Sequence, residues 1–167
     1  MFANRGFAHP RMWSQYADDG QGVCLVLNYE ALEKAVARSV GGRYPWGRGA
    51  VSNGDLRHEL SLGFYDARDL LDKGPSEAVL QNFEESLLTK HQDWSHEAEF
   101  RFFVMDGTDD DWVVPLSDDV VAGVIVGPRF RGVNRSRNVR AFSRSFGAAH
   151  RVRQLHWTHG RPELVPF

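Results

Sequence analysis

The sequence has only one cysteine, Cys24, among its 167 residues. A single thiol excludes an intramolecular disulfide and a cysteine-rich metal site. No segment approaches the roughly 18 uninterrupted apolar residues that a membrane-spanning helix requires. The first ten residues also lack the apolar core of a secretory signal. Together these absences predict a cytoplasmic protein with no membrane partner.

Motifs that identify several common enzyme classes are missing as well. The sequence contains no phosphate-binding loop, no dinucleotide glycine fingerprint, no Gly-x-Ser-x-Gly elbow and no His-Glu-x-x-His pair. Its seven histidines form no recognised ligand spacing with nearby acids or with the cysteine. We therefore predict no metal site. Cys24 lies inside an apolar segment, which favours a small buried side chain over a nucleophile.

Lysine is scarce, with three lysines against 17 arginines, and the net charge is only −2. The charges are unevenly distributed: residues 106–119 carry six acids and no base, and residues 129–161 carry nine arginines and no acid. An arginine-rich segment favours phosphate binding. Two opposite patches that partly neutralise each other are more typical of a solvated surface. A nucleic-acid-binding face would use Arg137, Arg140 and Arg144, with Arg151 and Arg153.

The apolar pattern predicts one α+β domain over residues 1–167, with a mixed central sheet. Apolar runs rich in β-branched residues predict strands at 22–27 and 120–126, the second in the centre of the sheet. Helical spacing of apolar residues predicts a helical hairpin over 55–90 and a C-terminal helix over 134–146, both packed on the sheet. The remaining elements are predicted as a helix at 29–40, a loop at 43–54 that contains one short strand near Tyr44, an edge strand at 113–116, a strand at 150–157 and an extended tail.

Residues 97–105 alternate between apolar and charged side chains, as in a strand. The apolar set is predicted to be buried beside the 120–126 strand, and it consists of Ala98, Phe100, Phe102 and Val104. The opposite face carries Glu97, Glu99 and Arg101, with neighbours about 6.7 Å apart along the strand. Burying an ion costs several kcal/mol unless it is paired. These charges therefore face solvent, form structural ion pairs or hold a ligand.

Three blocks of the sequence carry a resemblance to a known family. The first runs Met12-Trp13-Ser-Gln-Tyr16-Ala-Asp-Asp-Gly-Gln-Gly22, and the second Lys90-His-Gln-Asp-Trp-Ser-His-Glu-Ala-Glu-Phe-Arg101. The third is Val124-Ile-Val-Gly-Pro-Arg-Phe130. In this order they resemble the bacterial DUF2971 family, whose name implies no chemistry. Family members usually carry a longer region before the first block, where this sequence has eleven residues, which implies either a shortened variant or a missing part of a site.

The Glu97-Ala-Glu99 element also resembles the Glu-x-Glu element of ADP-ribosyltransferases, which cleave the nicotinamide–ribose bond of NAD. The resemblance implies that Glu99 hydrogen-bonds the ribose 2′-hydroxyl and stabilises an oxocarbenium-like transition state, while Glu97 activates an unknown acceptor. We expect Arg101 to keep Glu99 ionised. The substrate-binding residues are predicted to be Trp13, Tyr16, Trp94 and Arg101. The two tryptophans are expected to approach each other near the arginine, because a guanidinium stacks well on an indole.

Two other classes of function stay open. The first is a nucleic-acid-binding protein that uses the C-terminal arginine face, which strong salt dependence of binding would identify. The second is a non-catalytic interaction or structural module, in which Trp13, Trp94 and the charged row fix the fold. A pocket that opens onto the two glutamates would favour the enzyme, whereas an occluded, hydrogen-bonded cluster would favour the module.

Overall fold

The computed structural model describes residues 6–54, 87–104, 113–147 and 151–167. These residues fall into two compact units. The first, which we call the sheet unit, contains the described residues of 5–43 and 108–167. The second, the ribbon unit, contains the described residues of 44–107. The α+β fold class is confirmed, and a single domain over residues 1–167 stays a prediction.

Helices and short strands alternate along the described chain. The helices are α1 Pro10–Tyr16, α2 Tyr29–Val40 and α3 Val133–Ser145, with 3-10 turns at Gly6–Ala8 and Gln92–Trp94. The strands are β1 Val23–Leu27, β2 Trp46–Ala50, β3 Ser52–Gly54, β4 Thr89–His91, β5 Phe100–Val104, β6 Val121–Val126, β7 Val152–Thr158 and β8 Arg161–Pro166. None of the helices in this described part is long and apolar enough to cross a membrane.

The sheet unit contains a four-stranded mixed sheet in the order β1-β6-β7-β8. The β6–β7 pair is parallel, and the two outer pairs are antiparallel. The most apolar strand therefore lies inside the sheet, as its sequence predicts. The extended tail predicted after residue 157 is a full strand, β8, joined to β7 by a two-residue loop. His159 and Gly160 both have positive φ there, of 51° and 76°, which is the geometry of a tight hairpin turn.

The core of the sheet unit forms where two helices cover β6 and its neighbours. Val139 of α3 packs against the buried Val124, Val126 and Val152, so the C-terminal helix lies on the sheet as predicted. Ala31 and Ala35 of α2 pack with Val120 in a second buried cluster.

Helix α2 has a defined signal at each end. It begins where the side chain of Asn28 accepts a hydrogen bond from the Ala31 amide, at 3.3 Å. It ends at Gly41, whose φ of 57° suits a residue without a Cβ. Its boundaries, 29 and 40, are those the sequence predicts.

The ribbon unit pairs β2 with β5 in antiparallel fashion and β3 with β4 in parallel. Most of the loop predicted at 43–54 is therefore wrong, because residues 46–50 and 52–54 form strands. The one short strand predicted near Tyr44 corresponds to β2, which begins at Trp46. At Gly49 a Cβ would lie 2.5 Å from the end of the Leu88 side chain, so any larger residue there would require that flexible side chain to move. The predicted helical hairpin lies mostly at 55–86, outside the described residues. Its predicted end is wrong, since Thr89–His91 forms a strand.

The predicted position of the alternating strand is also wrong. β5 pairs with β2, while both edges of β6 are occupied by β1 and β7. Of the four side chains predicted to be buried there, Ala98 is exposed, and Phe100, Phe102 and Val104 are only half-buried. Residues 113–116, predicted as an edge strand, form no strand. Strand pairing is a long-range choice, and local alternation does not specify the partner.

Candidate functional site

Two strands and a turn of the ribbon unit bring four ionisable side chains together. Lys90 lies on β4, Arg101 on β5, Glu99 immediately before β5, and Glu97 in the turn that follows the Gln92–Trp94 segment. We call these four residues the charged cluster. The turn is closed by the Glu97 amide, which donates to the Trp94 carbonyl at 2.9 Å. The Val51 amide donates to the Glu99 carbonyl at 2.9 Å and fixes the start of β5.

Glu99 is the hub of the charged cluster. Arg101 binds its carboxylate through two nitrogens, with Nε 2.6 Å from Oε1 and Nη2 3.1 Å from Oε2. Such a two-point contact is strong and directional. The Lys90 Nζ lies 3.0 Å from the Glu99 Oε2 and also contacts the Glu97 carboxylate. One ammonium therefore joins the two acids of the Glu-x-Glu element.

The charged cluster is balanced in charge and largely shielded from solvent. The exposed fractions of its side chains are 6% for Glu97, 15% for Glu99, 18% for Lys90 and 32% for Arg101. The hydrogen bonds from Arg101 lower the pKa of Glu99 to about 2, against the opposing effect of burial, and Lys90 adds to this effect. The expectation that the arginine keeps Glu99 ionised is confirmed.

The pKa values of the two cations of the charged cluster are raised, whereas that of Glu99 is lowered. The hydrogen bonds to Glu99 raise the pKa of Arg101. Burial alone would lower the pKa of Lys90, but the hydrogen bonds to both glutamates outweigh it and the pKa is raised. All of the shifts favour the charged forms. Arg101 also donates to the Leu87 carbonyl, with Nη1 2.6 Å from the oxygen, so the cluster ties β5 to the segment before β4.

Lys90 is a member that the sequence analysis missed. The predicted helix ended near Lys90, so the sequence did not indicate that its side chain contacts the charged residues at 97–101. Its position at the start of the second sequence block was the available signal. Its ammonium lies 5.1 Å from the centroid of the Trp94 ring, at cation–π distance. The structure therefore brings Trp94, a predicted substrate-binding residue, to the charged cluster, with the lysine between the indole and the acids.

The other two predicted binding residues belong to the sheet unit. Trp13 on α1 is only 4% exposed, and its indole nitrogen donates to the Phe7 carbonyl at 2.8 Å. It packs with Ile125 and Leu155 in the core. Tyr16, at the end of the same helix, is 59% exposed. Because Trp13 and Trp94 lie in different units, their predicted approach near Arg101 stays a prediction.

The first and third sequence blocks meet in the sheet unit. Asp19 forms an ion pair with Arg129, and the Arg129 amide donates to the Gly20 carbonyl at 3.0 Å. A Cβ at Gly127 would lie 2.1 Å from the Gly20 oxygen, so this approach requires glycine. The two blocks border a cleft of about 230 Å³, which we call the Trp13 cleft. It is lined by Pro10, Trp13, Ser14, Asp19, Gly20, Pro128, Arg129 and Trp157.

The predicted arginine face is exposed on α3. Arg137, Arg140 and Arg144 follow one another at spacings of three and four residues, which places them on one side of the helix. All three are exposed, and α3 contains no acidic residue. Arg140 also lies over the Phe167 ring, with its guanidinium carbon 5.2 Å from the centroid. Arg151 and Arg153 are exposed as well.

Neither metal ligation nor thiol chemistry is indicated in the part of the chain that the structure describes. Among those residues, no group of three or more His, Cys, Asp or Glu side chains is placed to hold a metal ion. Cys24 is half-buried on β1, and burial raises the pKa of its thiol. A thiol with a raised pKa stays protonated at neutral pH and is a poor nucleophile.

These features define an α+β protein with a charge-balanced cluster of two glutamates, a lysine and an arginine. Residues 12–102 match the family described as "Protein of unknown function (DUF2971)". The match covers more than half of the chain, so the chain belongs to this family. It includes the first and second sequence blocks. No curated protein and no solved structure matches the chain.

Proposed function

We propose that this protein is an enzyme of the ADP-ribosyltransferase type, which cleaves the nicotinamide–ribose bond of NAD. One observation carries the proposal: Lys90 joins the two acids of the Glu-x-Glu element in a cluster that keeps Glu99 ionised. An ionised carboxylate can stabilise a positively charged, oxocarbenium-like centre, which a protonated one cannot. The start of a strand is a rigid support for such a group.

The substrate has to compete for Glu99, because both of its oxygens are bound by cations. Arg101 is the most exposed member of the charged cluster, and a guanidinium binds phosphate oxygens in the same two-point manner as a carboxylate. The pyrophosphate of NAD would engage Arg101 and leave Glu99 to accept a hydrogen bond from the ribose 2′-hydroxyl. Trp94 would contribute an aromatic surface beside them.

The reaction that follows is a substitution at the ribose C1′. The bond from C1′ to the nicotinamide nitrogen breaks, and its electron pair leaves with nicotinamide. An oxygen of water or of a hydroxyl-bearing acceptor bonds to C1′, and its proton passes to the carboxylate of Glu97. Glu99 faces the developing positive charge. Removing one electrostatic contact of this kind typically lowers the rate by about 10²–10³-fold.

The test is the release of nicotinamide from NAD by the wild type and by Glu99→Gln, which keeps the volume and removes the charge. We expect release by the wild type and a loss of about 10²–10³-fold in the variant. Glu163→Gln is the matched control, since Glu163 is exposed on β8 and accepts a hydrogen bond from Thr158. The control should keep full activity. A folded wild-type protein that releases no nicotinamide would exclude the proposal.

A non-catalytic interaction or structural module is the second candidate. It is favoured by the criterion stated for the sequence, because Glu97 and Glu99 are only 6% and 15% exposed and belong to a hydrogen-bonded cluster of four paired charges. The bond from Arg101 to the Leu87 carbonyl favours it as well. In this case the charged cluster fastens β4 to β5 and turns over no substrate. The wild type would then show no activity with NAD, and destabilisation of the ribbon unit would be the only effect of Glu99→Gln.

Nucleic-acid binding is favoured by one separate observation, the exposed arginines on the acid-free helix α3. Such binding weakens steeply with salt, because each neutralised phosphate releases counterions. Affinity for duplex DNA would be measured across a salt series, for the wild type and for a triple variant R137A/R140A/R144A. The slope of log affinity against log salt concentration reports the number of phosphates contacted. A decrease in the variant that corresponds to about two to three phosphates would support this function. Equal slopes would exclude it.

A further inference from the structure

The Trp13 cleft lies wholly within the sheet unit and has apolar walls. Trp13 and Trp157 supply two indoles, and Pro10 and Pro128 supply two rings that lack an amide hydrogen. The indole N–H of Trp13 is already bonded to the Phe7 carbonyl, so it presents no unpaired donor. Trp157 packs against the same buried cluster as Trp13. Walls of this kind suit the flat face of an aromatic ring.

The mouth of the cleft is polar and carries one charge of each sign. Asp19 and Arg129 form an ion pair there, and their side chains are 64% and 65% exposed. The backbone that presents Asp19 is unusual, since Asp18 and Asp19 have positive φ angles of 47° and 50°. Gly20 continues the left-handed turn with a φ of 85°. Non-glycine residues rarely adopt this conformation, and such strain is concentrated at binding sites.

The size of the cleft limits what it can hold. Pockets for drug-sized ligands measure about 300–1,000 Å³. At about 230 Å³ the Trp13 cleft is smaller, which fits one ring or two fused rings. The hydrogen-bonding groups at the mouth then determine which polar groups the edge of that ring must carry. Asp19 accepts hydrogen bonds, Arg129 donates them, and together they are neutral, so a charged ligand would have to break the pair.

We propose that the Trp13 cleft binds a neutral nucleobase, as part of a nucleoside. A nucleobase is flat enough to stack between the indole and proline surfaces, and its edge carries both donors and acceptors. Its N–H groups would bond to the carboxylate of Asp19, and its carbonyl or ring nitrogen would bond to the guanidinium of Arg129. This site goes beyond the proposed reaction, because it concerns binding within the sheet unit and does not require turnover.

The direct test is calorimetric titration of the whole protein with guanosine. Purine riboside is the comparison ligand, because it has the same rings without the exocyclic donor and acceptor. We expect saturable binding of guanosine and weaker binding of purine riboside. Trp157→Leu should weaken guanosine binding about tenfold or more by removing a stacking surface. Trp46→Leu, at a half-buried tryptophan of the ribbon unit, is the matched control and should leave binding unchanged.

The polar mouth is tested separately. Asp19→Asn and Arg129→Gln should each weaken guanosine binding and leave that of purine riboside unchanged, whereas Arg43→Gln, at an exposed arginine, should change neither. Ser14→Phe adds a ring at an exposed position that lines the cleft, so it should block binding without opening the core. The inference is wrong if guanosine does not bind, or if S14F and W157L bind it as the wild type does. Nicotinamide release is measured independently of both results.

Discussion

The two units differ in how deeply their most buried strands lie. In the sheet unit, Val124 and Val126 on β6 are 1% and 0% exposed, and Leu155 on the adjacent β7 is 0% exposed. In the ribbon unit every residue of β5 is half-buried. What the ribbon unit has instead is the charged cluster, whose hydrogen bonds hold the beginning of β5 to β4 and to Leu87. Apolar burial defines one unit, and paired charges are concentrated in the other.

This difference shows why the two units should respond to different perturbations. Apolar burial stabilises in proportion to the area removed from water, and it does not depend on the ionisation of any group, so screening by salt does not weaken it. A charge-balanced cluster depends on the ionisation of each member, and loss of one member leaves its partner charged and unpaired. Substitutions and pH changes can therefore separate the two units, if unfolding is followed by hydrogen exchange at the level of segments.

Leu155→Ala should have the largest effect on stability. The side chain is fully buried in the core of the sheet unit, so its truncation removes burial and leaves a cavity, at a cost of about 2–5 kcal/mol. Hydrogen exchange should accelerate in β6 and β7. Leu164→Ala on β8 is the matched control, because that leucine is 40% exposed and should cost much less. Equal losses in the two variants would contradict the burial that distinguishes the sheet unit.

Phe102→Ala should cost less than the loss of a fully buried ring. Complete burial would predict about 3–5 kcal/mol, but Phe102 is half-buried, with its ring tilted by 56° to that of Phe100 at a centroid distance of 5.7 Å. We expect roughly half of that value, about 1.5–2.5 kcal/mol, with faster exchange limited to β2 and β5. Denaturant unfolding gives the magnitude and hydrogen exchange gives the location. A loss as large as that of Leu155→Ala would show that β5 is more deeply buried than described.

A strand could be predicted from the sequence where its own side chains have a pattern typical of strands. The unbroken apolar run of β6 identified both the strand and its central place. β2 was predicted only as one short strand near Tyr44, and β8 was missed. Their glycines and prolines are typical of loops, and a partner strand determines their conformation. At Gly49 of β2 the Leu88 side chain approaches closely, which is a contact between residues distant in sequence. β8 instead pairs with β7 across the two-residue His159-Gly160 turn, so its partner is close in sequence.

The candidate site shows the same division. Alternation along 97–101 was enough to place Glu97, Glu99 and Arg101 together and to expect an ionised Glu99. It could not identify Lys90, because that residue reaches the charged cluster only through the fold of β4. Nor could it bring Asp19 to Arg129, which are 110 residues apart in the sequence. Contacts among charged side chains close in sequence were predictable, although β5 begins only at Phe100 and Glu97 lies in the preceding turn. Contacts between residues distant in sequence were not predictable.

Glu99→Gln should destabilise the ribbon unit by about 1–3 kcal/mol at neutral pH, the usual contribution of hydrogen bonds to a charged group. The effect should depend on pH in a defined direction. The pKa of Glu99 falls from 4.5 to about 2 on folding, so its ionised form stabilises the native state. That contribution is complete above about 4.5 and is lost as the pH falls toward 2. Urea midpoints of wild type and variant should therefore converge over this range, and a constant difference would contradict the pKa assignment.

Asp19→Asn should have the smallest effect on stability. The ion pair with Arg129 is about two-thirds exposed on both sides, and exposed pairs contribute about 0–1 kcal/mol because water and salt screen them. Asparagine also tolerates the positive φ of 50° at this position about as well as aspartate does. We expect a shift in the urea midpoint that is close to zero and decreases further at high salt. Asp19→Ala supplies the contrast, because alanine lacks the short polar side chain that makes this backbone conformation tolerable. A larger loss for alanine than for asparagine would assign the importance of Asp19 to the turn, whereas equal losses would assign it to the ion pair.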